Sequence, residues 1–240
     1  MMPNLTLPAL ILSIGLFAST FWVGRVIQDV KSSGQTITVK GYAEKEVVSD
    51  TAVWSARCTV RARQLPPAYA KLQADVQRTQ AFLEAQNFPG SAIAIGPVNT
   101  EVHYKKEGDV QTGEVESYTL TQTLRLTSDD VEAVDRVARL ATSLIQEGIE
   151  LQSFHPEFYF TKLDASKVEL LGLATIDAKQ RALQIAEASG GSVGAIRSAQ
   201  QGVFQITRPF SSEVSNSGEF DTYSIPKVIK AVVTLEYSVR

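Results

Sequence analysis

The stretch TAVWSARCTVR, residues 51–61, sets Trp54, Ala56, Cys58 and Val60 on one side of an extended chain and Ser55, Arg57, Thr59 and Arg61 on the other. Successive side chains of a strand point to opposite faces, so this is a strand with one buried and one wet face, the pattern of an antiparallel sheet. Pro66-Pro67 then opens a helix in which Tyr69, Leu72, Val76, Thr79 and Leu83 step by three and four, closed by Asn87 and Pro89-Gly90. Strands follow around Val98, Val102 and Tyr104 and around Tyr118, Leu120, Leu124 and Leu126, with Lys106-Glu107-Gly108-Asp109 as the turn between them. Ser128 is the expected cap of a second helix, with Asp129 and Asp130 near its positive end. Its core stripe reads Val131, Val134, Ala138, Ala141 and Ile145, and Gly148 stops it. A strand with Phe154, Phe158 and Phe160 on one face comes next. From Thr51 to Thr161 the order strand-helix-strand-strand-helix-strand is that of a split βαβ sandwich.

Outward from this unit the period keeps switching between two and 3.6 residues. Ile37, Val39, Gly41 and Ala43 share one face of an earlier strand. Asp164 is the expected cap of a third and longest helix, which ends at Gly190-Gly191. Its Ala174, Ala178, Ala182 and Ala186 recur every four residues, a stripe that permits close approach to a sheet, with Leu183 and Ile185 expected to fill alongside. A strand is expected near Ile196 to Ile206, and a last one alternates Ile229, Ala231, Val233, Leu235, Tyr237 and Val239. The expected fold is α+β: a mostly antiparallel sheet with three amphipathic helices, a split βαβ-like part plus an added helix-strand-strand lobe that includes the first strand. Residues 36–163 and 164–240 are the candidate sub-lobes. Between the last two strands, Arg208 to Pro226 holds five serines and two prolines. This is too long for a hairpin turn and too polar for a core. Its large apolar residues Phe210, Phe220, Tyr223 and Ile225, with Val228 and Val232 on the face of the last strand opposite Ile229, are the candidate interface residues.

Before Arg25 the chain carries no charged side chain, and Leu5 to Val23 is apolar apart from Thr6, Ser13, Ser19 and Thr20. As a helix of about 1.5 Å per residue this run approaches the roughly 30 Å of a bilayer core. Phe21 and Trp22 stand where aromatic rings favour the headgroup interface. Residues 1–27 therefore read as one transmembrane helix and 28–35 as a tether. The alternative is a cleaved signal peptide, but no Lys or Arg precedes the run and Ala18-Ser19-Thr20, followed by Phe21-Trp22, is a poor cleavage site. Arg25 and Lys31 lean towards a cytoplasmic domain without deciding the side.

Composition removes several functions. The 240 residues are 44% hydrophobic and 20% charged, with 23 Lys and Arg against 26 Asp and Glu, a net charge of −3. Such a chain can bury a core, and with no block of five like charges it has no basic stripe for nucleic acid. The single cysteine, Cys58, excludes an internal disulfide, and it falls on the Trp54 face as a buried thiol. Two pairs, Glu101 with His103 and His155 with Glu157, each share a strand face and would make a divalent-metal site only if their strands were neighbours. Gly190-Gly191-Ser192-Val193-Gly194 spells G-x-S-x-G, but it runs from helix to strand, the reverse of a nucleophile elbow, and helix capping accounts for its glycines. No catalytic set emerges, and no cofactor or metal is expected.

The segments ITVKGYAEKEVVSDTAVWSARCTV, residues 37–60, and ATIDAKQRALQIAEASGGSVGAI, residues 174–196, resemble the SIMPL-domain family of bacterial envelope proteins. Val39-Lys40-Gly41, Asp50 and Ala52 fit its opening, the alanine helix its most recognisable stretch, and Ile229 to Val239 its closing strand. Ser49 departs, since the family commonly has Pro before the Asp. The resemblance implies an extracytoplasmic α+β domain that self-associates into rings or larger assemblies, linked to envelope and stress physiology, with no agreed catalytic residues. On that basis the expectation is a non-enzymatic protein of the cytoplasmic membrane, single-pass, its domain on the periplasmic side and assembled as a homo-oligomer. The alternatives are a secreted periplasmic form and a binding module for an envelope glycan, peptide or lipid.

Overall fold

β2 (Thr51–Ala62) lies inside a sheet whose pairings are all antiparallel. β5 (Val110–Ser128) runs along one side of it, from Ala52 opposite Ser128 to Ala62 opposite Tyr118. β6 (Glu150–Ser153) and β7 (Glu157–Tyr159) share its other side, while β3 (Ile93–Ile95) and β4 (Asn99–Glu107) pair with the far edge of β5. Helix α1 (Leu65–Ala85) connects β2 to that far edge, and α2 (Val131–Leu140) connects β5 to β6. This is the split βαβ order expected from residues 51–161. The computed structural model describes Ser19 and residues 35–240 except 109, 213 and 214.

The alternation read in residues 51–61 decides which face is covered. Trp54, Ala56 and Cys58 are fully buried against Leu72 and Leu83 of α1, Val134 of α2, and Leu120, Leu124 and Leu126 of β5. Arg57, Arg61, Arg125 and Thr127 stand on the opposite, open face.

A second, smaller sheet has the order β1-β10-β8, where β1 is Thr36–Val48, β8 is Val193–Gln201 and β10 is Pro226–Val239; β9 (Gln205–Thr207) also pairs with β10. Helix α3 (Leu163–Ala188) crosses it on its buried alanines, Ala174, Ala178, Ala182 and Ala186. The approach is close enough that a Cβ on Gly41 would sit 2.0 Å from the Ala174 carbonyl oxygen and 2.7 Å from the Ala178 Cβ. β1 thus belongs with α3 and β10, so a cut at residue 163 does not separate the lobes: the first strand returns to pair with the last, from Thr36 opposite Ser238 to Val48 opposite Pro226.

The junction between lobes is hydrogen-bonded. Ser49 donates both its N–H and its hydroxyl to Ile225 O, each at 2.9 Å, which a proline there would forgo. Asp50 accepts from Thr161 N at 2.8 Å and Thr161 Oγ1 at 3.0 Å.

Local corrections have local causes. Ala68, not Tyr69, faces the core of α1, because spacing back from Leu72 allows i−4 as well as i−3. Asp130 rather than Ser128 caps α2, accepting from Ala133 N at 2.9 Å, and Ser128 Oγ accepts from Asp130 N one step earlier. After α2 the chain tightens to a 3₁₀ turn, Ala141–Ile145; three residues per turn bring Leu144 inward and leave Ile145 exposed. Residues 154–160 are not one strand: Phe154-His155-Pro156 interrupt the ladder, Phe158 enters the first core and Phe160 packs on the second. Lys162 is the N-cap of α3 and Asp164 lies inside its first turn. Leu183 and Ile185 are about half exposed and do not fill beside the alanines. The strand expected from Ile196 to Ile206 breaks into β8 and β9 around Gly202. Among the described residues no helix is long and apolar enough to cross a membrane, and the span expected over residues 5–23 lies, Ser19 apart, outside them.

Candidate functional site

Residues 215–225 form a strap that returns across the junction. Asp221 organises it, accepting from Tyr223 N at 3.0 Å, Ser224 N at 3.3 Å and the Ser224 hydroxyl. Lys227, itself buried, donates to Asp221 O at 2.6 Å and Ser224 O at 2.7 Å and lies 3.3 Å from Asp221 Oδ2. Burial opposes charge on Asp221, but its hydrogen bonds and the Lys227 ammonium outweigh this and hold its carboxyl below the usual carboxylate range. For Lys227 burial wins over the attraction of Asp221 and lowers its pKa. Further along, Ile206 N donates to Glu219 O and Asp221 N to Ile206 O, each at 2.8 Å, and Phe158 N donates to Thr222 O, also at 2.8 Å. Gln205 holds Ser215 and Glu219 through its amide.

Where the strap meets β2 and the β6–β7 link, it closes a cleft of about 370 Å³ lined by Ser55, Arg125, Phe154, His155, Glu157 and Tyr223 among others. Strand register places these groups: Ser55 stands opposite Arg125, and Val53 opposite Glu157. Phe154 N donates to Ser55 O at 3.0 Å, keeping the link on the sheet after β6 ends. His155 Nδ1 lies 2.6 Å from Pro156 O, which calls for its proton on Nδ1. Its ring packs 5.2 Å from that of Tyr223 and edge-on to Phe158. Tyr159 donates to Glu157 Oε2 at 2.8 Å, a bond that with burial pushes the phenol pKa up.

The two His–Glu pairs do not meet. His103 bonds Thr119 Oγ1 at 2.8 Å, level with Arg61, whereas His155 follows Phe154 beside Ser55. Six residues of strand, about 20 Å, and the width of two strands separate them. No group of three or more His, Cys, Asp or Glu among the described residues is placed to hold a metal ion. Cys58 is buried, 3.5 Å from Thr79 Oγ1, and burial raises its pKa despite that contact. Ser192 pairs through its backbone with Arg240, between Gly190 (φ +77°) at the end of α3 and the start of β8.

Of the interface candidates, Ile225 packs against the first core and Val228 is buried. Val232 is half-buried, Phe220 half-exposed, Phe210 fully exposed (φ +61°), and Tyr223 is 72% exposed although its ring packs at a tilt against His155. The cleft itself was not legible in the sequence, since its residues come from four separate segments; only the loop length and its aromatics pointed towards it.

A two-lobed α+β domain with a split βαβ half and an alanine-faced helix on a sheet of terminal strands defines the class. The SIMPL family, described as "Protein of unknown function (DUF541)", matches residues 37–237, and the chain belongs to that family. A comparison with curated proteins found no match.

Proposed function

We propose that this is a non-enzymatic, membrane-tethered extracytoplasmic protein whose domain self-assembles, with a scaffolding or envelope-stress role. The observation that carries the reading is the set of large apolar side chains that α3 leaves exposed. Its alanines face the sheet, yet Leu173, Ile176 and Leu183 on the other side are 47%, 55% and 45% exposed, and Val168 and Ile185 add to them. Large apolar side chains left exposed among the charged Lys167, Asp177, Lys179 and Arg181 of one helix mark an interaction surface, and a cover for them is favoured. A second copy supplies one. In the same lobe β1 and β8 are both edge strands with one side unpaired in the sheet, and β8 is exposed along most of its length. Asp177 blunts one of these edges by accepting from Tyr42 N at 2.8 Å. A groove of about 490 Å³ links the start of α3 to Val203 and Phe220, extending the apolar surface towards the strap. The charge-free run over residues 5–23 supports the tether, and the family resemblance supports the extracytoplasmic side. Tethered copies share a plane, so weak contacts act at high effective concentration.

Light scattering with detergent correction tests assembly, on full-length protein beside residues 35–240. A discrete multiple in both, reduced by Ile176→Glu and Leu183→Glu together, is the expected result. Monomers in both overturn it. Protease accessibility in intact and opened spheroplasts reads the side on which the domain stands.

A further inference from the structure

We propose that the cleft under Tyr223 binds an acidic sugar, with Arg125 holding the carboxylate and the Tyr223 and Phe154 rings facing the pyranose. The volume of about 370 Å³ lies at the small end of ligand pockets and suits a single sugar ring.

Polar side chains are brought together in this cleft and left without hydrogen-bond partners. Arg125 and Glu157 line the same cleft with opposite charges, yet no ion pair joins them, and the Arg125 side chain makes no hydrogen bond to any described residue, its charge acting only on the Tyr159 phenol. Arg57, the neighbouring cation on the open face, is engaged differently, over the Phe154 ring at 5.2 Å. Ser55, Thr222 and the Tyr223 hydroxyl likewise have no side-chain partner among the described residues, and Glu157 uses only Oε2. A guanidinium is a planar fork that matches a carboxylate with two parallel bonds. The hydroxyls and the free Glu157 oxygen match ring hydroxyls as donors and acceptors. Aromatic faces match the C–H face of a pyranose, apolar on one side and polar at the rim.

Tyr223 is exposed, but its backbone is not loose. Its N–H goes to Asp221, Thr222 O accepts from Phe158 N, and Lys227 anchors the turn from below. An exposed aromatic on a preorganised backbone loses little freedom when a ligand packs on it. Other ligands use the cleft less fully. A neutral sugar leaves Arg125 without a counter-charge, a small inorganic anion leaves the rings idle, and a fatty acid covers hydroxyls without satisfying them. The site is independent of self-assembly, since the outer face of α3 contributes nothing to it.

Titration calorimetry on detergent-solubilised full chain tests this with four probes: sodium glucuronate, glucose, inorganic phosphate and alanine. Glucuronate is expected to saturate, with each of the others at least about tenfold weaker. Arg125→Gln is expected to weaken glucuronate at least about tenfold and Tyr223→Ala several-fold, with melting temperatures unchanged because both side chains are exposed. Absence of saturable heat with glucuronate at about 10 mM overturns the proposal. Equal binding of glucose or undiminished binding by a folded Arg125→Gln variant overturns the role of Arg125. Phosphate or alanine binding as tightly as glucuronate overturns the ligand class.

Discussion

The two lobes solve the same problem, seating a helix on a sheet, in opposite ways. In the larger lobe α1 and α2 meet the sheet through bulky side chains: Trp54, Leu72, Leu83, Leu120, Leu124 and Leu126 are all fully buried. In the smaller lobe α3 meets β1 with almost none, its Ala174 and Ala178 lying directly over Gly41. Interdigitated side chains fill space, so that interface is sensitive to atoms removed. Near-contact of backbones leaves no space, so the other is sensitive to atoms added. The difference also reaches the outside. A helix held by its small residues keeps its larger ones, Leu173, Ile176 and Leu183, on the other face, and that is where assembly is proposed.

The sharpest test of this contrast is the largest in size. Trp54→Ala should lower unfolding free energy by about 3–5 kcal/mol in a denaturant melt, since it opens a cavity that its neighbours only partly close. Gly41→Ala, which adds one methyl group, should cost about 1–3 kcal/mol or more, because the obstructing atom is a helix carbonyl and α3 must shift as a body. A neutral Gly41→Ala would remove the close-approach reading of the smaller lobe. Asp50→Ala acts on the junction between the lobes and should cost about 1–2 kcal/mol.

That third variant has a signature in pH. Burial raises the Asp50 pKa, but hydrogen bonds from Thr161 N and Oγ1, the Lys162 charge and Thr51 together bring it below the ordinary value. A depressed carboxylate contributes stability that is complete above its unfolded pKa of about 3.9 and is lost as pH falls through the folded value. Wild type should therefore lose stability below about pH 4, Asp221 adding in the same direction, and Asp50→Ala should flatten part of that slope. The smallest effect is expected at Thr207, buried in β9 with a hydroxyl that has no partner among the described residues. Thr207→Val should change stability by less than about 1 kcal/mol, or raise it, because it removes an unsatisfied group at nearly constant shape. A clear loss would reveal a partner for that hydroxyl.

Much of the architecture was legible because it is written in period. Strict alternation in residues 51–61 specified the covered face, the order of elements specified the split βαβ half, and the four-residue alanine repeat marked the helix that lies close to a sheet. Errors gathered where a one-residue choice is made by packing: Ala68 over Tyr69, Asp130 over Ser128, Leu144 over Ile145. Periodicity constrains a face to within a residue, while tertiary contact selects within it.

The sequence by itself determined the order of most elements, the buried face of the large sheet, the alanine stripe of the helix that lies close to a sheet, and the family resemblance. Only the tertiary structure decided the register in which β1 pairs with β10 and that His103 and His155 lie far apart. It alone placed Arg125, Phe154, His155, Glu157 and Tyr223 around one cleft. Local pattern is set by solvation of neighbouring residues, whereas these are juxtapositions of segments distant along the chain, established when two sheets and a strap close on one another.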